Sequence, residues 1–248
     1  ELEEAYLEQK NQTYDSPQNG KYMPLFQLHN PSGSIYGFRY KGVYRYSYKN
    51  WEKAIAVERE QKALHGDKAD EQLWSCPIVR DADGNIVFNA DGTPKQMNLF
   101  FDSESQTSTY QFRGGDAIYE DINHDGTINQ LDIVYLGNSN PSAQGGFGLT
   151  FRYKRWSLKT DFTYRLNVDV VNKARMDFES MSNFNNQSYA VNWRWRKEGD
   201  ITEIPRAVYN GAYNTLGSDR FVEDASYVRL SYVQLSYSFD PAKLKKIG

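Results

Sequence analysis

The fold is decided by residues 145–166, which have the sequence GGFGLTFRYKRWSLKTDFTYRL. On both sides of Lys154-Arg155, apolar residues alternate with polar residues or glycine, and only Thr160 breaks the apolar series. A period of two residues is typical of β-strands, whose side chains point alternately to opposite faces. The pattern predicts two long antiparallel strands joined by a tight turn. The apolar face comprises Phe147, Leu149, Phe151, Tyr153, Trp156, Leu158, Phe162, Tyr164 and Leu166.

A third strand of the same kind is predicted over Tyr227–Phe239. Its apolar series changes parity once, which indicates a β-bulge near Tyr232 because one inserted residue restores the face. The apolar residues are Val228 and Leu230 before the change, and Val233, Leu235, Tyr237 and Phe239 after it.

These strands are long for a soluble protein. Ordinary strands have about 5–6 residues, whereas membrane-spanning strands need about 9–11, with one apolar and one polar face. Outer-membrane barrels also combine short periplasmic turns with long extracellular loops. Here Lys154-Arg155 is very short and the connection 167–226 is long. We therefore expect Lys154-Arg155 and Asp240–Gly248 on the periplasmic side, and 167–226 outside the cell.

The predicted fold class is all-β: a segment of a large antiparallel transmembrane β-barrel with long extracellular loops. Residues 1–144 are assigned to loops with strand ends, and 145–248 to barrel strands, within one barrel domain. A single loop helix is predicted over Asn50–His65, where Asn50 is a suitable N-cap and Gly66 follows the last turn. Asp-Gly steps on both sides of residues 85–88 predict small hairpins.

The composition excludes several classes of protein. The chain has 248 residues, a net charge of −3 and one cysteine, so a polybasic nucleic-acid surface and a disulfide framework are not expected. The mean hydropathy is −0.76, and no run of 18 apolar residues exists, which excludes a helical membrane protein. Aromatic residues make up 15% of the chain, including 19 tyrosines, and suit strands and membrane interfaces.

A candidate calcium loop lies at Asp121–Asp132, with the sequence DINHDGTINQLD. An EF-hand-type loop has oxygen ligands at fixed positions and a glycine at position 6, which is Gly126 here. Ile128 at position 8 is expected to turn inward and anchor the loop. The predicted calcium ligands are Asp121, Asn123, Asp125, Asp132 and the carbonyl of Thr127, with Asn129 able to bind directly or through water.

The alternative for this loop is a solvated turn without an ion, because Asp, Asn and Gly are also the common turn residues. Position 12 is Asp132 rather than Glu, and the flanking segments are too short or too extended for EF-hand helices. If calcium binds, we expect it to hold the loop as a structural clip rather than to act as a sensor.

Other chemistry is weakly represented. Glu223-Asp224 is the only adjacent carboxylate pair that suggests a hydrolase, and we predict no enzymatic activity. The segment Trp193-Arg194-Trp195-Arg196 is a candidate substrate contact, since aromatic rings stack on sugars and arginine donates paired hydrogen bonds. Ordinary loop packing is the favoured alternative for these four residues.

Several strings resemble the SusC/RagA type of TonB-dependent outer-membrane transporter. They are Gly115–Gly126, Leu136–Pro141, Ser218–Leu230, Glu203-Ile204-Pro205-Arg206 and Ser32–Gly37. The strings recur in the order of the family and extend over most of residues 32–240. The plug, the TonB box and most barrel strands of that family are absent from this sequence.

The resemblance implies the C-terminal part of a barrel of roughly 22 strands with a plugged lumen. It implies import of oligosaccharides or peptides across the outer membrane of a Gram-negative, Bacteroidetes-like cell. It also implies three partners: a SusD-like surface lipoprotein, the remaining barrel and plug, and the TonB complex, reached through the missing N-terminal parts. The alternative function is a secreted, calcium-stabilised β-sandwich that binds carbohydrate. A dockerin-like module normally has two such loops, and only one is found.

Overall fold

A computed structural model describes residues 18–22, 30–100 and 109–239, without the side chains at positions 100 and 109. It divides the chain into two compact units. The first contains residues 1–137 and 171–222, and the second contains residues 138–170 and 223–248. The predicted segment Asp240–Gly248 lies outside the described residues. The division of the chain into 1–144 and 145–248 concerns the whole barrel domain and stays a prediction.

Strands dominate the regular structure of the described residues, as predicted. The strands are β1 (Ser34–Gly37), β2 (Tyr40–Val43), β3 (Asn98–Phe100), β4 (Thr109–Gln111), β5 (Ala117–Tyr119), β6 (Thr127–Ile128), β7 (Val134–Asn138), β8 (Ala143–Tyr153), β9 (Trp156–Leu166), β10 (Asp169–Val171), β11 (Val222–Asp224) and β12 (Tyr227–Tyr237). The α-helices are α1 (Trp51–His65) and α2 (Lys173–Phe178). Short 3₁₀ turns lie at Tyr48–Asn50, Gly66–Lys68, Glu71–Trp74, Gln130–Asp132, Tyr189–Trp193 and Asp219–Phe221.

The second unit contains the three long strands, in the order β12-β9-β8. All pairs are antiparallel, and each strand has 11 residues. The register of β12 against β9 shifts between Leu230 and Tyr232, which confirms the predicted bulge. The shift places Leu230 opposite Phe162 and Val233 opposite Thr160, so the apolar series of β12 stays on one face. Lys154 takes a positive φ of 54° in the two-residue turn.

The first unit is built from short strands around an aromatic core. Its small sheets pair β1 with β7, β2 with β5, and β3 with both β4 and β6. Edge-to-face and tilted ring contacts join Tyr44, Tyr110 and Tyr119 to Phe112, with ring centroids 5.6–6.4 Å apart. The buried core residues are Tyr36, Phe38, Tyr44, Val79, Met97, Leu99, Phe112, Ala117, Tyr119, Ile128, Ile133 and Leu216.

Helix α1 confirms the predicted loop helix. It packs Ala54 against Trp74 in a small second core, while most of its surface is exposed. Although burial opposes ionisation, hydrogen bonds from Arg80 and Lys62 hold the pKa of Glu58 below its ordinary value. The Arg80–Glu58 pair thereby ties α1 to the hairpin that follows. The predicted hairpins are present as bridges of Arg80 with Ile86 and of Phe88 with Pro94.

None of the helices in the described ranges has the length and apolar character needed to cross a bilayer.

Candidate functional site

The Asp121–Asp132 loop is folded by hydrogen bonds from its own backbone to its acidic side chains. Gly126 takes a φ of 84°, which a side chain would strain, and its N–H donates to Asp121 Oδ2 at 2.8 Å. The Thr127 N–H donates to Asp125 Oδ1 at 2.7 Å. Asn123 approaches the same residue, since its Nδ2 donates to Asp125 Oδ2 at 2.9 Å. The loop therefore gathers three of the predicted ligands, Asp121, Asn123 and Asp125, on short Asx turns.

Asp132 has a different role in this geometry. It is fully buried and accepts hydrogen bonds from the N–H groups of Ile122 and Asn129, both at 2.9 Å. With Asn129 it forms the capping box of the 3₁₀ turn Gln130–Asp132. Burial raises the pKa of the Asp132 carboxyl to about 6. Thr127 lies in β6, and Ile128 beside it is completely buried, as predicted for the inward anchor.

One oxygen in the loop is unsatisfied. Asp121 Oδ1 is buried and has no hydrogen-bond partner within the described ranges. Burial raises the pKa of the Asp121 carboxyl, and the neighbouring Asp125 charge raises it further. Both effects indicate negative charge without a compensating cation. Within the described ranges, however, no three His, Cys, Asp or Glu side chains converge to form a metal-binding group. Calcium binding therefore stays a prediction.

The Trp193–Arg196 segment separates into packed and exposed side chains. The Trp195 ring lies over Gly115, and its Nε1 donates to the Arg45 carbonyl at 3.3 Å. Arg194 donates to the Val191 carbonyl of its own 3₁₀ turn at 3.2 Å. Trp193 is 58% exposed and forms an edge-to-face pair with Tyr189. Arg196 is also exposed. Trp195 and Arg194 thus contribute to loop packing, while Trp193 and Arg196 remain accessible.

A buried ion pair explains two of the strings that carry the family resemblance. Asp116 is fully buried, and its Oδ1 accepts a 2.7 Å hydrogen bond from Arg206 Nε. Its Oδ2 accepts a second 2.7 Å bond from the Tyr110 hydroxyl. Residues 115–116 and 203–206 therefore meet in space, although they are distant in sequence. Sequence reasoning missed this pair, and the adjacent charged residues within both strings are the only signal that pointed to it.

The sheet of the second unit has two contrasting faces. One carries the apolar series and is open to the surroundings: Phe151 is 60% and Leu235 is 64% exposed. On this face, the Phe147 and Phe162 rings stack with centroids 4.9 Å apart. The other face is polar, and an ion pair at 3.7 Å joins Lys159 to Asp161. A large apolar face of this kind is atypical of a water-facing surface.

Aromatic residues cluster at the end of the sheet that bears the Lys154-Arg155 turn. The ring centroids of Trp156 and Tyr237 are 4.8 Å apart, and those of Tyr237 and Phe239 are 4.9 Å apart. The Lys154 ammonium lies 5.3 Å from the centroid of the Tyr153 ring. Aromatic rings beside a basic residue are typical of a membrane–water interface. Fold and faces together define a class of protein: an all-β chain with long, amphipathic, antiparallel strands.

Comparison with known proteins gives this class a family. The chain is 31% identical to TonB-dependent receptor P39 of Formosa agariphila over 144 residues, covering 55% of this chain and 14% of that receptor. It is 31% identical to receptor P26 of the same organism, with 54% and 14% covered. Its homologues are TonB-dependent receptors, which confirms the resemblance identified from the sequence. The chain spans only 14% of the length of these curated relatives.

No protein-family model matches the chain. Two solved structures show a likeness at 16% identity. The RagAB peptide transporter gives a TM-score of 0.47 and covers 90% of this chain and 18% of that chain. The RagAB peptide importer in its closed-closed state gives 0.42, with 88% and 19% covered. The predicted fold class agrees with the observed strands, since the sheets are open, as expected for a piece of a barrel.

Proposed function

We propose that this chain forms part of the wall and outer loops of a TonB-dependent importer in the outer membrane. The observation that carries the proposal is the exposed apolar face on β8, β9 and β12, opposite a polar face. In a barrel, the apolar face contacts lipid, and the polar face lines the interior. The homology to TonB-dependent receptors supports the same function.

The strand dimensions agree with a membrane wall. Each long strand has 11 residues. At a rise of about 3.3 Å per residue, its ten steps extend about 33 Å. With the tilt of about 40° found in outer-membrane barrels, the height is about 25 Å, which equals the typical apolar band. The aromatic cluster at the Lys154-Arg155 turn then lies at one interface, and we assign that turn to the periplasmic side.

The remaining parts of the importer are also proposed. The rest of the barrel and its plug complete the wall, and the TonB complex supplies energy. A SusD-like lipoprotein covers the extracellular side, and the cargo is an oligosaccharide or a peptide. Trp193 and Arg196 are the members of the predicted substrate segment that are exposed enough to contact such a cargo.

We also propose that calcium completes the Asp121–Asp132 loop. The proposal is supported by the orphaned Asp121 Oδ1, by the sharp turn at Gly126 and by the oxygen-rich donor set. Asp121, Asn123 and Asp125 would hold the ion, and Thr127 and Asp132 are the further predicted ligands. The ion would neutralise the gathered carboxylates and hold the loop against the core through Ile128.

The secreted β-sandwich is the weaker alternative. A sandwich buries the apolar face of each sheet against a second sheet. Here the apolar residues in the middle of the sheet are exposed: Leu149 is 44% and Val233 is 53% accessible. A membrane environment accounts for this exposure, whereas a water-soluble module does not.

Cysteine labelling in whole cells tests the proposed function. Val233 and Gln234 are neighbours on β12 and point to opposite faces. We expect V233C to react with a lipid-soluble maleimide and not with a charged one. The matched variant Q234C should react with a charged maleimide small enough to enter the lumen. Cys76, the single cysteine of the chain, is buried, and burial raises the pKa of its thiol to about 12, so it adds little background. Equal labelling of both variants by the charged reagent would contradict the proposal.

A further inference from the structure

A pocket of about 380 Å³ in the first unit carries no charged side chain on its walls. Two separate segments, 182 and 210–213, form most of it. The lining residues are Asn19, Tyr110, Ser182, Asn210, Gly211, Ala212 and Tyr213. Its volume lies within the usual range of about 300–1,000 Å³ for small-molecule sites. The walls therefore offer hydroxyl groups, amides and aromatic rings, but no ion.

The walls are held in place while one carboxamide remains available. Asn19 Nδ2 donates to the Ala212 carbonyl at 2.7 Å, and its Oδ1 accepts from the Thr215 N–H at 3.0 Å. The Tyr213 ring packs edge-to-face on Tyr110, with centroids 5.2 Å apart. Asn210, by contrast, is exposed, and its carboxamide has no partner in the part of the chain that the structure describes. Fixed walls with a free amide are suited to recognition by hydrogen bonds.

An exposed aromatic pair lies next to this pocket in the sequence of both segments. Phe184 is 91% and Tyr209 is 68% exposed, and their ring centroids are 5.0 Å apart with an interplanar angle of 32°. Rings left open to this extent expose apolar area that water does not favour. The backbone N–H of Asn210 donates to the Ser182 carbonyl at 3.2 Å, so the two segments that carry the rings are joined.

Backbone geometry fixes this arrangement. Met181 and Asn210 both take positive φ angles, 49° and 45°. Non-glycine residues adopt this region at a cost, and such positions are concentrated at functional sites. The two residues reverse the chain beside the pocket, and thereby present Phe184 and Tyr209 at its edge.

We infer that this pocket and the Phe184–Tyr209 pair form a binding subsite for a neutral oligosaccharide. A sugar ring offers hydroxyl groups that match amides and hydroxyls, and apolar C–H faces that stack on aromatic rings. An acidic sugar or a phosphate would require a cation, and none lines the pocket. The cavity beside α1 differs in this respect, because Glu58, Lys62, Arg80 and Glu120 line it. The inference rests on the proposed import function and specifies the cargo as a neutral glycan.

The test uses the full-length polypeptide that contains this chain, purified in mild detergent. Binding is measured by calorimetry with maltohexaose, cellohexaose, laminarihexaose and mannohexaose. Hexagalacturonic acid and penta-alanine serve as the anionic and peptide comparators. Two variants act on different contacts: Y209A removes a stacking ring, and N210G removes the carboxamide at a positive φ that glycine accepts freely. F88A is the control, because Phe88 is a 53% exposed ring outside the pocket.

We expect at least one neutral hexasaccharide to bind, and both Y209A and N210G to weaken it by roughly three- to tenfold. F88A should bind like the parent protein. The inference is overturned if no neutral hexasaccharide binds, if neither variant weakens binding, or if penta-alanine binding falls in the same variants. It is also overturned if Y209A releases a co-purifying lipoprotein while sugar affinity stays unchanged. Failure of the import proposal is separate, because it appears in the face-specific labelling of V233C and Q234C.

Discussion

Substitution of Val233 by arginine tests the orientation of the sheet. Val233 is 53% exposed on the apolar face and pairs with Thr160 near the middle of β9. It lies four residues from Tyr237, in the aromatic cluster at the turn. At about 3.3 Å per residue and a tilt of about 40°, this distance corresponds to a depth of about 10 Å. Val233 is therefore close to the middle of an apolar band about 25 Å high.

An arginine that faces lipid at this depth costs about 2–4 kcal/mol, and the cost falls to about 0–1 kcal/mol near an interface. For V233R we expect a loss of about 3 kcal/mol, which is about 150-fold in the folding equilibrium. L235R lies only about 5 Å from the cluster and should cost about half as much. Y232R is the control, because Tyr232 belongs to the polar face and pairs with Asp161, so the new charge gains an opposite partner.

The assay is the reversible folding of the full-length polypeptide into lipid vesicles, followed through a denaturant titration. The fraction recovered in the outer membrane of cells provides the second readout. We expect stability to decrease in the order Y232R, L235R, V233R. Equal cost at positions 233 and 235, or a larger cost for Y232R than for V233R, would refute the assignment of the apolar face to lipid.

Three further predictions concern the first unit. D125A should abolish protection of the loop from protease by calcium, whereas D91A in a separate Asp-Gly turn should not; at 100 times Kd the ion should stabilise the parent by about 2.7 kcal/mol, and equal protease sensitivity with calcium and with chelator would contradict the site. R206M should destabilise the unit by about 3 kcal/mol in denaturant unfolding, because it leaves Asp116 charged and buried without its partner, and a loss below about 1 kcal/mol would show that the pair is dispensable. E58Q should flatten the pH profile of thermal stability: the depressed pKa of Glu58 gives stability that is present above its ordinary value of 4.5 and is lost as the pH falls through the folded value, and an unchanged acid limb would exclude this origin.

The long strands were predictable because their signal is local. Alternation along Trp156–Leu166 and the parity change near Tyr232 depend only on neighbouring residues, so the faces and the bulge follow from the sequence. Helix α1 is equally local, since a polar segment ends at Gly66, which takes a φ of 57°. The inward position of Ile128 follows from the spacing of the loop.

The contacts of the first unit were not predictable in the same way. Asp116 and Arg206 are 90 residues apart, and neither residue alone shows that they form a buried pair. Trp195 seemed available for substrate, but Gly115, which leaves space for its ring, is also distant in sequence. The role of Asp132 depends on the burial of its carboxylate, which the spacing of a calcium motif does not specify.

The central claim is that this chain is part of a membrane-embedded importer. Native mass spectrometry of the full-length polypeptide, extracted from its own membranes in mild detergent, tests this claim most directly. We expect a detergent-dependent species from the outer-membrane fraction, with a mass that includes a complete barrel and an associated lipoprotein. A monomer recovered from the aqueous fraction without detergent would contradict the account and favour the secreted β-sandwich.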